Sequence, residues 1–135
     1  MGLLGWSVGD VAVTRVVEHE VALPLTGLLP EATPEALARH RGWLEPHFLN
    51  PDGSVTLSIH GLVLESGGRR ILVDSCVGGR KLPGFENLAG GRPFLDDLAA
   101  AGFPPASIDV VLCTHLHFDH VGWNTRKQGD RFVPS

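Results

Sequence analysis

Residues 109–123 read DVVLCTHLHFDHVGW, an apolar run that opens into a polar loop. Asp109-Val110-Val111-Leu112-Cys113-Thr114 is short and almost wholly apolar, the pattern of a strand lying deep in a sheet covered on both sides. The loop after it carries His115, His117, Asp119 and His120, so three of the chain's seven His fall within six residues. In α/β architectures the carboxyl end of such a strand is where chemistry tends to sit. If the first loop residues stay extended, His115 and His117 project to one side and can grip one metal ion through neutral imidazole nitrogens. Leu116 and Phe118 then point the other way, into apolar packing that anchors the loop. A turn after Phe118 places Asp119 and His120 near a second position, and Gly122 permits the tight backbone path. Imidazoles with one carboxylate suit zinc, with iron or manganese as alternatives on ligand type. Two such ions would acidify a shared water and clamp both the attacked oxygen and the leaving group, which is metal-assisted hydrolysis.

Upstream, Pro93 to Ala101 reads as a helix. Phe94 and Leu98 share one face, Leu95 and Ala99 the adjoining one, Gly102 offers a left-handed C-cap, and Pro104-Pro105 forbids continuation. Val77 to Gly91 is rich in Gly and Pro and reads as an irregular loop. Val55, Leu57 and Ile59 alternate with Thr56, Ser58 and His60 as a half-buried strand that becomes apolar on both faces from Leu62 to Leu64. Ser66-Gly67-Gly68-Arg69 closes a hairpin onto Ile71-Leu72-Val73-Asp74. Asn50-Pro51-Asp52-Gly53 is a turn, and Thr33 with Pro34 and Glu35 starts a helix that runs to about Leu44. Val11 to Val17 is rich in β-branched residues and reads as a strand. The order is strand, helix, strand pair, helix, buried strand, an α/β (α+β) chain.

The 135 residues suit one domain, and 43% hydrophobic with 19% charged residues is ordinary for a soluble globular chain. Eleven Lys and Arg against 15 Asp and Glu leave a net charge of -4, which argues against a nucleic-acid partner. Two Cys without a CxxC pair exclude a disulfide scaffold or a cysteine-rich zinc module. Cys76 and Cys113 sit in apolar runs and read as buried free thiols in a reduced, cytoplasmic setting. No signal peptide and no run of the roughly 20 apolar residues that spans a bilayer is present, so no membrane partner is expected. GxSxG and HExxH strings are absent, and Gly78-Gly79-Arg80-Lys81 lacks the spacing of a phosphate loop. His60 reads as core or pocket wall, and Trp123 as pocket or core in equal measure. Trp43 and Phe85 read as aromatic core, His19, His40 and His47 as surface or loop packing, and Arg69-Arg70 and Arg80-Lys81 as solvated turn charges.

The string His115-x-His117-x-Asp119-His120 on a loop after an apolar strand resembles the signature of the metallo-β-lactamase fold superfamily. That resemblance implies an αββα sandwich and a one- or two-metal site, usually zinc. It also implies a hydroxide attacking a carbonyl, phosphoryl or related centre of a small-molecule ester, lactone, thioester or phosphotriester. It implies His115 and His117 on the first metal and Asp119 and His120 on the second, with Asp119 also orienting the nucleophilic water. Ile71-Leu72-Val73-Asp74 resembles the family's early motif, whose strand-end Asp supports the metal loop from behind; Asp74 takes that place. The wider run THLHFDHVGWN is most similar to lactonase- and organophosphate-hydrolase-like members.

The resemblance runs from about Val11 to the end yet covers only the first half of the family's domain. No His follows His120, and Asp130 is the one later acid. Four ligands divided between two sites leave each metal two short of a closed shell of four. The expectation is therefore the N-terminal half of an αββα sandwich, with a further strand starting at about Arg131 to Ser135. The complete protein would be a hydrolase. The competing reading is a catalytically silent, truncated half-domain that binds metal weakly or self-associates as a homo-oligomer through an uncovered sheet face. A nuclease of the same superfamily is disfavoured by the charge and the lack of a basic stripe.

Overall fold

A computed structural model describes residues 4–79 and 94–135. Its strands are β1 (Leu4–Val8), β2 (Val11–Pro24), β3 (Ser54–Ser66), β4 (Arg69–Val73), β5 (Val110–Leu112), β6 (Thr125–Gln128) and β7 (Arg131–Pro134). Its α-helices are α1 (Pro34–Leu44), α2 (Phe94–Ala100) and α3 (Phe118–Val121). The first five strands form one sheet in the order β1-β2-β3-β4-β5, and β6 with β7 forms a separate two-stranded sheet. The architecture is mixed α/β. The chain divides into two compact units, residues 1–19 with 59–135, and residues 20–58. Among the described residues no helix is long and apolar enough to cross a membrane. The expected loop beyond Gly79, with Arg80-Lys81 and Phe85, and the expected helix start at Pro93 lie outside the described residues.

In the first unit the core gathers on one face of the sheet. Val16 of β2, Val63 of β3 and Leu72 of β4 meet Cys76, Phe103 and the α2 residues Phe94 and Leu98. Phe94 and Leu98 are the buried pair of α2, four residues apart on one face as the sequence predicts. Burying side chains of this size stabilises the fold by about 1.5–3 kcal/mol each. The helix ends in a Schellman motif. Gly102, at φ 94, donates to the Ala99 carbonyl at 3.0 Å, and Phe103 donates to Leu98 at 3.0 Å while both side chains enter the core.

The β3–β4 hairpin turns through Gly67 and Gly68, both left-handed, with Ser66 facing Arg69, as the sequence predicts. Beside the core, Gly61 leaves room for its neighbours. A Cβ there would stand 2.8 Å from the Asp74 carbonyl oxygen and 3.0 Å from Leu72 and Phe94. His60, next along β3, therefore lies on the opposite sheet face and is half-buried.

Several expectations change. The predicted strand at Val11 to Val17 runs on to Pro24, and β1 precedes it in an antiparallel hairpin in which Val8 faces Val11. In place of a single strand starting at Arg131, β6 and β7 form a hairpin in which Gln128 faces Arg131. β5 is not a strand buried on both faces. It closes the sheet order, pairing in parallel with β4, and Val111 and Leu112 are 46% and 50% exposed. An apolar run records what a strand can bury, not what lies over it. Leu57 points outward too, so the alternation of β3 holds strictly only from Ile59 onward. His19 is largely buried rather than on the surface, its Nε2 4.0 Å from the Glu18 carboxylate.

In the second unit, α1 spans the residues predicted for it. The Thr33 hydroxyl accepts the Ala36 N–H at 3.3 Å, Pro34 fills the first position, and Arg41 pairs with Glu45 one turn on. Asp52 accepts the Ser54 N–H and hydroxyl at 2.9 and 2.7 Å, building the turn predicted at Asn50 to Gly53. Trp43 is not core: it is 64% exposed and leans on Phe48 at 6.4 Å between ring centroids.

Candidate metal centre

The site is built where β4 and β5 end. Asp74, one residue past β4, is left-handed at φ 60, a conformation Asp tolerates better than most residues. Its N–H donates to the Leu112 carbonyl at 2.8 Å, carrying the β4–β5 pairing one step further. That posture turns the carboxylate toward the loop after β5. It accepts the Thr114 N–H, the Thr114 hydroxyl and His120 Nδ1, all at 2.8 Å. Burial pushes the Asp74 carboxyl up, but the bonds from His120 and Thr114 outweigh it and hold the group below its ordinary value. Asp74 thus supports His120 from behind.

Thr114 to His117 bends rather than staying extended, and α3 starts at Phe118. His115 and His117 still come together, Nε2 of the first 3.1 Å from Nδ1 of the second. Asp119 Oδ2 stands 3.4 Å from His120 Nε2, and the His115 and His120 rings are 3.9 Å apart. The predicted anchoring is only half present. Phe118 is half-buried, whereas Leu116 is 81% exposed, because the bend carries its side chain out of the alternation that an extended segment would keep.

The donor set can be tested against a zinc ion. Two ligands at 2.0–2.1 Å in a tetrahedral shell lie about 3.3–3.4 Å from each other. The His115–His117 and Asp119–His120 separations are close to that value. With Asp74 on its Nδ1, His120 is set to present Nε2, the nitrogen beside Asp119, to an ion. The residues therefore fit as two pairs of donors. Among the described residues no group of three or more His, Cys, Asp or Glu is arranged to hold a metal alone.

Behind the ligand loop runs the segment leaving β4. Ser75 donates to the His120 carbonyl at 2.9 Å and accepts from the Trp123 N–H at 2.9 Å, and the Gly122 N–H reaches the Cys76 carbonyl at 2.6 Å. The Ser75 hydroxyl and Asn124 amide meet at 2.7 Å. The two backbones touch at glycines: a Cβ on Gly78 would be 2.7 Å from Gly122 Cα, and one on Gly122 would overlap the Val77 carbonyl. Cys76, left-handed at φ 57, is fully buried beneath this crossing. Burial first, then the nearby carboxylates of Glu18, Asp74 and Asp119, push its thiol far up, which keeps it protonated and inert. Cys113 is only half-buried, and the Asn124 amide approaches its sulfur at 3.3 Å.

Trp123 packs against the core cluster and donates its indole N–H to Glu18 at 2.7 Å. Glu18, Ser75 and Asn124 are residues that sequence reasoning passed over. For Glu18 a signal existed: it stands two positions from Val16 in a β-branched run, where alternation turns it inward.

The sequence model of the Metallo-beta-lactamase superfamily matches residues 55–126, more than half of the chain. A ribonuclease of Thermus thermophilus is 41% identical over 68 residues, 50% of this chain and 13% of its own length. Among solved structures, the hydrolase AbOPH of the beta-lactamase superfamily aligns at TM-score 0.64 and 26% identity, over 90% of this chain and 39% of its own. The dizinc quorum-quenching lactonase AidC aligns at TM-score 0.64 and 22% identity, over 90% and 38%, a likeness of fold. The chain spans about two fifths of the length of these two solved structures.

Proposed function

Because the chain belongs to the metallo-beta-lactamase superfamily, we propose that it carries one part of the active site of a zinc-dependent hydrolase acting on small-molecule esters or lactones. The observation that carries this reading is the pairing of donors. His115 with His117, and Asp119 with His120, stand at separations suited to shared ions, and Asp74 fixes the second pair from behind. An ion held there supplies Lewis acidity and a more acidic water at neutral pH. His115 and His117 would hold the first ion through ring nitrogens. Asp74 keeps the His120 proton on Nδ1, leaving the Nε2 lone pair for the second ion. Asp119 would add a carboxylate oxygen to that site, placed to orient a water there.

The small-molecule substrate class is supported by structural neighbours named as a hydrolase and a lactonase, and by a net charge of -4, which repels polyphosphate chains. A second reading, RNA hydrolysis, is favoured by the ribonuclease relative. The test is zinc content and turnover of the purified protein on an aryl ester, an acyl-homoserine lactone and RNA, beside His117→Ala. We expect ester or lactone turnover that His117→Ala abolishes together with most of the bound zinc. Turnover of RNA alone would establish the second reading. Unchanged zinc and rate in His117→Ala would refute the site, and a protein with neither zinc nor turnover would be the silent half-domain.

A further inference from the structure

Glu18 is 2% exposed on β2, far in sequence from the ligand loop, yet its carboxylate faces three N–H groups. It accepts Val77 N–H at 2.7 Å and Trp123 Nε1–H at 2.7 Å, and Gly78 N–H approaches at 3.4 Å. A buried carboxylate is expensive to desolvate and persists where several donors satisfy it. Here the donors belong to two different segments. Val77 and Gly78 lie on the stretch leaving β4 that begins with Asp74. Trp123 follows His120 on the ligand loop by three residues. Those two segments are already stitched by the Ser75–His120, Trp123–Ser75 and Gly122–Cys76 bonds. Glu18 grips both from the sheet side, at the Gly78–Gly122 crossing where no side chain fits between them.

A neutral residue could not do the same. Each oxygen of the carboxylate accepts, whereas an amide would aim its NH2 at one of the N–H groups it must receive. A structural filler of this pocket would be apolar; the chain instead keeps a side chain with both oxygens engaged under the loop that presents Asp119 and His120. We propose that Glu18 is a positioning residue of the candidate metal centre: by holding Val77, Gly78 and the Trp123 indole together, it sets the placement of His120 and Asp119 for a cation. This rests on the zinc-hydrolase reading above.

The test uses the protein with Glu18→Gln and, as a control, Val16→Ala, which trims the same buried strand face two residues away, in the cluster that Trp123 packs against, and removes no hydrogen bond to the loop. The first readout needs no metal: in chelator, the Trp123 indole N–H resonance and its hydrogen exchange. The second is zinc affinity by chelator competition well below either variant's melting temperature. We expect Glu18→Gln to shift the indole resonance, to speed its exchange, and to weaken zinc binding about tenfold, within the range seen when groups behind metal ligands are removed. Val16→Ala should lower the melting temperature while leaving indole exchange and zinc affinity near their wild-type values. Glu18→Asp, one methylene short, should fall between wild type and Gln. Equal zinc loss in Val16→Ala and Glu18→Gln would reduce Glu18 to a fold residue and overturn the proposal, as would an unmoved indole in Glu18→Gln. Should wild type show the protected indole but bind no zinc, the hydrolase reading itself would fail and the proposal with it.

Discussion

Replacing Asp74 by Asn isolates one carboxylate that serves both stability and the candidate site. The side chain keeps its size, and Asn accepts the left-handed backbone that Asp74 uses. One amide oxygen can still receive the Thr114 N–H. At the other position an NH2 replaces Oδ2, which accepts both the Thr114 hydroxyl and His120 Nδ1 at 2.8 Å. Both bonds can re-form only if the hydroxyl rotates and His120 gives up its Nδ1 proton, moving it to Nε2. Exchanging two charge-assisted bonds of about 1.5–3 kcal/mol for neutral ones of about 0.5–1.5 costs about 2 kcal/mol. For a domain of this size that is a fall of about 6–10 °C in Tm.

The larger effect is on zinc, because the lone pair of Nε2 is lost, and affinity should drop about 10–100-fold. The pH dependence follows from the depressed carboxyl. The folded Asp74 binds its proton less readily than an unfolded Asp, so its stabilisation is complete above the ordinary carboxyl range near about pH 4 and disappears as pH falls through the lower folded value. Thermal melts in chelator at neutral pH and near about pH 3, with zinc titrations at neutral pH, check each part. A Tm gap between wild type and Asp74→Asn that stays constant into acid, or a zinc affinity within threefold of wild type, would refute the reasoning.

Three further outcomes are expected. Gly122→Ala should lower stability by about 3 kcal/mol or more by overpacking the crossing with the Val77 and Gly78 backbone, read by urea denaturation; a loss under about 1 kcal/mol would mean the loops can part freely. Leu98→Ala should cost about 2–5 kcal/mol because the side chain is fully buried in the α2 core, whereas Leu116→Ser, at an exposed position, should stay within about 0.5 kcal/mol. Cys76 should resist a thiol reagent until the protein unfolds, so labelling under native conditions followed by peptide mapping should find it unmodified.

How much the sequence disclosed depended on the range of the physics involved. Local devices were legible: the Thr33 cap, the Gly67-Gly68 turn, the Phe94–Leu98 face and the Gly102 cap all act within a few residues, and the structure has each. The clustering of His115, His117, Asp119 and His120 was written in adjacent letters, and Asp74 stood at a recognisable strand end. The hairpins at β1–β2 and β6–β7 were legible in principle, since Gly9-Asp10 and Gly129-Asp130 are both Gly-Asp turns between short extended runs. What escaped was set by partners far along the chain. Hydrophobicity predicts Trp43 and Leu116 inside, yet it cannot by itself supply a covering surface, and both are exposed. Glu18 was missed because its role exists only once Val77 and Trp123 arrive beside it.

The glycine crossing also orders events in time. The stretch from Asp74 to Gly78 and the stretch from Phe118 to Trp123 lean on each other's backbone, so neither can hold its left-handed or helical course alone. Contacts of such long sequence separation form after the local hairpins and helices, once β5 has docked on β4. The candidate metal ligands should thus be assembled late, and on unfolding they should be released together. Amide exchange at Ser75, Gly122 and Trp123 should therefore proceed at one shared rate, as a single cooperative opening.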